Sequence, residues 1–441
     1  MGPIIYILPY EYFLLPVYLI LIFWVTKIIA KRYYTKNYRA VFLYGAVGFK
    51  LLGSMVFAFM SQFFFKEGDT FMYFSSGLDI QKAVLQNFPS SINLLFIEPG
   101  DFGQFYEANF SNSNNYGYIS STPNLFTAKV SSFLSLFAFN GYLLTSLLFG
   151  LVALSGMWRL FILFTSLFPS LSKQWSMCFL FLPSIVYWGG GVMKDTICLA
   201  ALGWLFTSFY YYFIANRKKW IHLLIMIVTF YLLFNVKVYI AGSMLLVLVI
   251  WYVLKKISSI PNTNIKVALT LIFIVAAVSF LATSSFISDQ LMSGLVEYIA
   301  DAKKNYALSS SDSALMTNVT DVTMSVMSIV SNIPAAINNA LFRPYLWEST
   351  SLNIFFAGLE NFVILALSAF VVVRRWASII PRIFTVQIVA ICFIFSILFA
   401  VVIGLTCFNF GTMVRYKLPC TPFYCATLFL LYHHTLKPKK I

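Results

Sequence analysis

The sequence predicts an all-α membrane protein, a bundle of about eleven transmembrane helices. Of its 441 residues 60% are hydrophobic and only 10% are charged, and its apolar stretches each approach twenty residues. A soluble domain carries charge on roughly 25% of its residues, and a transmembrane helix needs about twenty apolar residues. These observations exclude a soluble multidomain enzyme and a disordered chain. They also exclude a membrane β-barrel, because its strands alternate apolar and polar residues.

Residues 1–441 form one predicted integral-membrane domain with eleven candidate spans. Two long polar connections, residues 62–129 and 286–351, are expected to be large outer loops, where functional residues tend to concentrate. The sequence has neither an internal repeat nor a G-x-x-x-x-G-K-[ST] motif, which disfavours an ATP-driven pump. The candidate spans lie near residues 12–30, 40–60, 142–167, 174–189, 196–214, 220–236, 238–254, 266–285, 352–373, 383–405 and 419–435.

The orientation follows from the basic residues, which give the chain a net charge of +15. Lys and Arg collect in the cytoplasmic loops of membrane proteins, so this excess does not indicate a nucleic-acid partner. With eleven spans, the basic runs that follow odd-numbered spans all lie on one face, which we assign to the cytoplasm. We therefore expect an outer N-terminus and a cytoplasmic C-terminus. The runs are Lys27–Arg39, Arg217–Lys219, Lys255–Lys256, Arg374–Arg375 and Lys437–Lys440.

Polar clusters at the expected outer edge are candidates for function, because ionisable groups near hydrocarbon are costly. The first cluster is Gly68-Asp69-Thr70, followed by Tyr73, just after the second span. Asp69 suits a general base or a metal ligand. An equally good interpretation is a helix N-cap, since Asp before an apolar stretch also favours capping.

The second cluster is the turn Pro183–Thr196, which contains Gly189-Gly190-Gly191 followed by Lys194-Asp195. Three glycines permit a tight turn and close backbone approach. A helix is predicted to begin directly afterwards, and helix N-termini bind anions. Lys194 adds a positive charge, whereas Asp195 is open to three roles: helix cap, partner of Lys194 or catalytic group. The alternative is a plain turn with a Lys–Asp pair.

The third cluster, Arg343-Pro344-Tyr345-Leu346-Trp347-Glu348, precedes the ninth span. Arg343 offers two parallel hydrogen bonds to a phosphate or a carboxylate. Trp347 fits either a substrate contact or the aromatic belt of the membrane interface. Pairing of Arg343 with Glu348 is the simpler alternative.

The fourth cluster lies between the last two spans and contains Asn409, Arg415 and Lys417. Its two cations stand on the expected outer face, against the positive-inside trend. An anionic substrate or an acidic loop would offset these two positive charges. Lys237, between the sixth and seventh spans, is a further cation on this face.

We expect the four clusters to form one outward-facing site for a lipid-linked phosphate. Cations hold a diphosphate and a carboxylate activates the attacking hydroxyl, which makes Asp69, Asp195 and Arg415 the predicted catalytic residues. No cofactor with its own chemistry is implied, and a divalent cation stays open. The six cysteines and three histidines show no zinc-site spacing. The predicted substrate contacts are Tyr73, Lys194, Lys237, Arg343, Trp347, Glu348, Asn409 and Lys417.

These four motifs and the many-span layout resemble bacterial membrane glycosyltransferases and polysaccharide polymerases of the GT-C-like group. The resemblance implies sugar transfer, or repeat-unit polymerisation, from a polyprenyl-linked donor to a glycan acceptor outside the bacterial cytoplasmic membrane. It implies that Asp69 is the acidic residue of the first outer loop and that Arg343 and Arg415 face phosphate. Two departures leave a divalent-metal requirement open: the acidic loop follows the second span, and the Gly68-Asp69-Thr70 motif holds one aspartate where the family has a paired acidic motif.

Two other functions remain possible on sequence grounds. A transporter or flippase of a lipid-linked glycan needs charges along a path through the bilayer, often with repeats and broken helices. Few charges lie in the inner halves of the spans, with Lys50, Arg159 and Glu360 as exceptions. A noncatalytic scaffold of an envelope assembly would use the long outer loops as partner surfaces and would tolerate substitutions in the four clusters.

Overall fold

The computed structural model describes residues 5–31, 37–66, 68–86, 121–261, 326–349, 351–433, 435 and 437–438. These residues are almost entirely helical and include no β-strand, which confirms the all-α prediction. Among them, seven helices are long and apolar enough to cross a membrane. The protein is therefore a multi-pass helical membrane protein. The predicted span near 266–285 lies outside the described residues.

The chain divides into two compact units, one mainly Met1–Tyr212 with Arg217–Gly242 and the other mainly Ser243–Pro438. The helices of unit 1 are α1 (Pro9–Lys31), α2 (Asn37–Phe59, continued by a π-helical turn at Met60–Phe65), α3 (Asp69–Gln86), α4 (Thr122–Leu136), α5 (Tyr142–Leu167), α6 (Ser172–Phe179), α7 (Pro183–Trp188), α8 (Lys194–Phe209, continued by a π-helical turn at Tyr210–Ile214) and α9 (Trp220–Val236). Helix α10 (Val238–Ser258) begins in unit 1 and continues in unit 2.

Unit 2 contains the rest of α10 and five further described helices. They are α11 (Val326–Phe342), α12 (Leu352–Thr385), α13 (Gln387–Thr406), α14 (Phe410–Tyr416) and α15 (Thr421–Tyr432). Helices α11 and α13 approach closely where a Cβ on Gly404 would meet the backbone of Ala336. Small residues at such crossings let helix backbones pack in contact. Helix α12 is longer than the predicted 352–373, because its helical turns continue past Arg374 and Arg375 to Thr385.

The predicted span 174–189 is not one helix. It is divided into α6, with 8 residues, and α7, with 6 residues. Pro183 occupies the first turn of α7, and a proline there disfavours helical geometry in the residue before it. Each piece is far shorter than the roughly twenty residues that a continuous span needs.

Helices α6 and α7 nevertheless run one after the other back alongside α5 in unit 1. The ring of Trp175 in α6 lies 5.3 Å from Phe164, near the end of α5. The Nζ of Lys50, in the middle of α2, donates to the carbonyl of Ile185 in α7. Gly190, after α7, lies against Gly150 in the first half of α5. The broken segment therefore returns along α5, so that α8 runs parallel to α5.

Helices α5 and α8 form the centre of unit 1. They touch at Gly156 and Gly203, and an added Cβ on Gly156 would lie 2.7 Å from the Cα of Ala200.

A second close contact anchors the start of α5, where buried Glu11 accepts hydrogen bonds from the backbone N–H of Leu144 at 3.2 Å and of Leu8 at 2.9 Å. A carboxylate at a helix N-terminus is favoured by the helix dipole.

The first large loop, residues 62–129, is mostly helical where it is described. Helix α3 lies within it and α4 begins within it, and the two pack tightly where a Cβ on Gly77 would be 2.9 Å from the backbone nitrogen of Ser132. Residues 87–120 of this loop, and residues 286–325 of the second loop, lie outside the described part of the chain. The described end of the second loop consists of α11 and a short 3₁₀ turn, Leu346–Glu348.

Candidate functional site

The glycine turn before α8 delivers two charged side chains to the first turn of that helix. Met193 is extended, and Lys194 and Asp195 follow as the first helical residues. A Cβ on Gly190 would be 2.9 Å from the Cα of Ser54 in α2, so this position requires a residue without a side chain. The hydroxyl of Thr196 donates to the carbonyl of Gly191 at 2.8 Å and closes the turn.

Asp195 forms a buried ion pair with Lys237, which lies between α9 and α10. The two residues are 2% and 6% exposed, respectively. Two hydrogen bonds fix the backbone of Lys237. Its N–H donates to the carbonyl of Leu233 at 2.8 Å, and its carbonyl accepts from the N–H of Ile240 at 3.0 Å. Because burying either charge alone is costly, each of these two residues requires the other.

Lys194 is half-buried beside this pair, and its Nζ lies 5.8 Å from the ring centroid of Tyr73. Asp69 and Asp195 attract the Lys194 ammonium, whereas Lys237 repels it. The structure thus brings five residues singled out in the sequence into one neighbourhood of unit 1. We call them the Lys194 cluster: Asp69, Tyr73, Lys194, Asp195 and Lys237.

Helix α3 supplies Asp69 and Tyr73. Gly68 has φ +141°, a conformation that favours glycine, and Asp69 is the first residue of the helix that follows. The hydroxyls of Thr70 and Tyr142 lie 3.0 Å apart, which joins α3 to the start of α5. The buried Tyr73 donates its hydroxyl proton to Asn124 of α4 at 3.2 Å. Asp69 itself is half-buried.

A second polar cluster lies in unit 2 around Arg343. The Nε of Arg343 donates to the two carboxylate oxygens of Glu348 at 2.9 and 3.1 Å, and its Nη2 also donates to Glu348. Its Nη1 donates to Asn339 of α11 at 3.2 Å. The guanidinium therefore binds the carboxylate, which is the simpler of the two arrangements that the sequence left open.

Lys417 belongs to the same cluster and is only 2% exposed. Its Nζ donates to the side-chain oxygen of Asn361 at 2.5 Å and to the backbone carbonyl of Arg343 at 3.3 Å. Burial lowers the pKa of Lys417 to about 8, although nearby Glu360 acts in the opposite direction. We call Asn339, Arg343, Glu348, Asn361 and Lys417 the Arg343 cluster.

Three other predicted residues lie in unit 2. Trp347 is 77% exposed and its ring stacks on Tyr345 at 4.9 Å. Asn409 caps α14, because its side-chain oxygen accepts from the backbone N–H of Thr412 at 3.2 Å. Arg415 is half-buried in the last turn of α14. That the two clusters meet in one site stays a prediction.

Sequence reasoning missed the asparagine side chains that bind residues of the two clusters. Asn124 binds Tyr73, and Asn339 and Asn361 bind Arg343 and Lys417. A signal was present, because Asn339 and Asn361 interrupt apolar helical stretches, where a polar side chain needs a partner. Within the described ranges, no group of three His, Cys, Asp or Glu side chains is placed to hold a metal ion, and all six cysteines are buried.

Comparison of the chain with family models, curated proteins and solved structures found no match. A functional proposal therefore has to rest on the chemistry of the two clusters.

Proposed function

We propose that the protein is a membrane glycosyltransferase or polysaccharide polymerase. Its donor is a sugar linked to a polyprenyl phosphate, and the reaction takes place on the outer face of the bacterial cytoplasmic membrane, with the N-terminus outside. The observation that supports this most is the Lys194 cluster, which combines an ammonium group at a helix N-terminus with two carboxylates. That combination suits transfer of a sugar from a phosphate leaving group to an acceptor hydroxyl.

Lys194 is the residue that binds the donor's phosphate in this proposal. It stands in the first turn of α8, where unpaired backbone N–H groups and the positive end of the helix dipole favour an anion. The face of the neighbouring Tyr73 ring, 5.8 Å from Nζ, attracts the ammonium. Fixed positive charge at this point stabilises the phosphate as it gains charge in the transition state.

Asp69 acts as the general base. Its carboxylate accepts the proton of the acceptor hydroxyl while the acceptor oxygen bonds to the anomeric carbon. The bond between that carbon and the phosphate oxygen breaks, and its electron pair leaves with the phosphate beside Lys194. Asp195 is a positioning residue here, because its carboxylate is held by Lys237 at the start of α8.

The unit 2 residues have separate roles in this proposal. Arg415 is half-buried and stays a predicted phosphate-facing residue of unit 2, whereas Arg343 binds Glu348. The exposed Trp347 ring, stacked on Tyr345, offers a flat apolar surface for a sugar ring or a lipid chain.

The test is transfer from a polyprenyl-diphosphate-linked oligosaccharide by the protein in proteoliposomes. Lys194→Ala is expected to lower kcat by about 100- to 1,000-fold, the usual loss when one charge-stabilising group is removed. Asp69→Asn is expected to lower it by about 100-fold or more. The matched controls are Lys82→Ala, which removes an exposed cation from the same helix as Asp69, and Asp79→Asn, which removes a second carboxylate from that helix. Normal transfer by both cluster variants would contradict the proposal.

Transport of a lipid-linked glycan is a second candidate, favoured by the break between α6 and α7. Discontinuous helices and buried cations within a bundle are features of transporters. Lys50 is 3% exposed and donates at 2.7 Å to the carbonyl of Ile185, in the middle of α7. Movement of a labelled lipid-linked glycan across vesicles without covalent change, abolished by Lys50→Met but not by Lys82→Ala, would favour transport over transfer.

A further inference from the structure

A basic cluster surrounds the ring of Tyr211, in the π-helical turn that ends α8. The guanidinium carbons of Arg159 and Arg217 lie 6.0 and 5.6 Å from the ring centroid. The imidazole of His222 stacks on the same ring at 5.5 Å, with an interplanar angle of 25°. With Lys219 these residues form what we call the Tyr211 cluster, which lies away from the Lys194 cluster, at the other end of α8.

The backbone fixes the positions of these side chains. The N–H of Arg217 donates to the carbonyl of Tyr211 at 2.8 Å, and the N–H of Lys219 donates to Arg217 at 2.8 Å. The N–H of His222 then donates to Lys219 at 3.0 Å. From α5, Arg159 also places its guanidinium 4.7 Å from the ring centroid of Trp204. The cluster is therefore preorganised by hydrogen bonds and aromatic contacts.

The cluster gathers several positive charges in one place. Asp195 is the single acidic residue between Glu107 and Asp289 in the sequence, and it is paired with Lys237. The His222 imidazole experiences Arg159, Arg217 and Lys219 together as nearby charges. Among the residues described, no ion pair joins these cations to an acid.

Two polar atoms of the cluster are buried without a hydrogen-bond partner in the described part of the chain. They are the Nε of Arg159 and the Nδ1 of His222. Buried polar atoms are almost always hydrogen-bonded, so each exception needs an explanation. A phosphate group accepts hydrogen bonds through several oxygens, and arginine suits it particularly well.

We propose that the Tyr211 cluster binds the phosphate of an anionic phospholipid headgroup. Basic pockets between transmembrane helices at the cytoplasmic side suit such lipids. The adjoining start of α9 exposes Trp220, Ile221, Leu223 and Leu224, an apolar face suited to acyl chains. Ordinary snorkelling of basic side chains to the interface accounts for the charge, but it leaves the two buried nitrogens without hydrogen-bond partners among the described residues. This inference is independent of the function proposed above.

The test is native mass spectrometry of the full-length protein in a neutral detergent. Phosphatidylglycerol, phosphatidylcholine and inorganic phosphate are each titrated against the wild type and three variants. Arg159→Met removes the central cation, and the double variant Arg217→Ala, Lys219→Ala removes two exposed cations without disturbing the interior. Arg374→Met is the matched control, because Arg374 is an exposed arginine with a cation–π contact, 5.9 Å from the Phe370 ring centroid.

Phosphatidylglycerol is expected to bind the wild type more tightly than phosphatidylcholine. Its affinity is expected to fall by about fivefold for each cation removed from the cluster and to be unchanged in Arg374→Met. Equal binding of phosphatidylglycerol by all variants would overturn the proposal, even if Arg159→Met alone failed to fold. Binding of inorganic phosphate that phosphatidylglycerol does not displace would overturn the assignment to a lipid.

Discussion

Removing the charge of Asp195 while Lys237 stays in place is expected to destabilise the protein strongly. Asp195→Asn leaves the Lys237 ammonium, which is 6% exposed, buried without its counter-charge. It also leaves Lys194 nearby, which Lys237 already repels. Both effects raise the free energy of the folded state and not that of the unfolded chain.

Two independent estimates give a similar magnitude. Breaking a buried ion pair by removing one partner costs about 3–5 kcal/mol. Two unit charges about 4 Å apart attract each other by about 4 kcal/mol at an effective dielectric constant of about 20. Substituting both partners is expected to cost less than the sum of the two single substitutions, because it removes the buried charge together with its counter-charge.

The assay is a double-mutant cycle of Asp195→Asn, Lys237→Met and the combined variant, measured by SDS-induced unfolding in mixed micelles. Each single variant is expected to lose about 3–5 kcal/mol of unfolding free energy, and the combined variant less than their sum, with an interaction energy of about 2–3 kcal/mol. Asp79→Asn serves as the control for the loss of one carboxylate. Single variants that each lose less than about 1 kcal/mol, or a cycle that is strictly additive, would refute the reasoning.

Two further predictions concern packing and pH. Gly156→Ala is expected to lower the free energy of unfolding by about 1–3 kcal/mol, because its Cβ would lie 2.7 Å from the Cα of Ala200. The control is Gly48→Ala, which has open space around it and should be nearly neutral in the same unfolding assay. Burial lowers the pKa of Lys417 from its ordinary 10.5 to about 8, so the unfolded chain binds this proton more tightly than the folded one. Between pH 8 and 10.5, the unfolding free energy of the wild type should therefore rise relative to that of Lys417→Met, by at most about 1.4 kcal/mol per pH unit. A difference between the two proteins that does not change with pH would contradict this.

Hydropathy was a good guide to the long helices because lipid and the protein interior both select apolar side chains. Helix α5 matches the predicted segment 142–167 at both ends. Hydropathy was a poor guide to helices that lie in polar sequence. Helices α3 and α4 lie wholly or mostly within a segment interpreted as a loop, because each fully buries one face and leaves the other mostly half-buried, with polar residues on it. That pattern lowers the average hydropathy without preventing a helix.

The residues of the Lys194 cluster were predictable one by one, but their partners were not. Charge at a membrane edge singled out Lys194, Asp195 and Lys237 in the sequence. Nothing in the sequence indicated that Asp195 binds Lys237 rather than its neighbour Lys194, because that choice depends on how α9 ends beside the start of α8. Pairing across helices is a tertiary property, and local spacing does not encode it.

The discontinuity between α6 and α7 explains why these charges need one another. Gly190 lies beside Gly150, eight residues into α5, and therefore about 12 Å along the axis from the first residue of that helix. Because α7 ends at Trp188, α8 begins at this depth and carries Lys194 and Asp195 into the interior of unit 1 instead of to its edge. A carboxylate held there requires a buried cation, and Lys237 supplies it. The break in the helix and the buried ion pair are thus two parts of one structural arrangement.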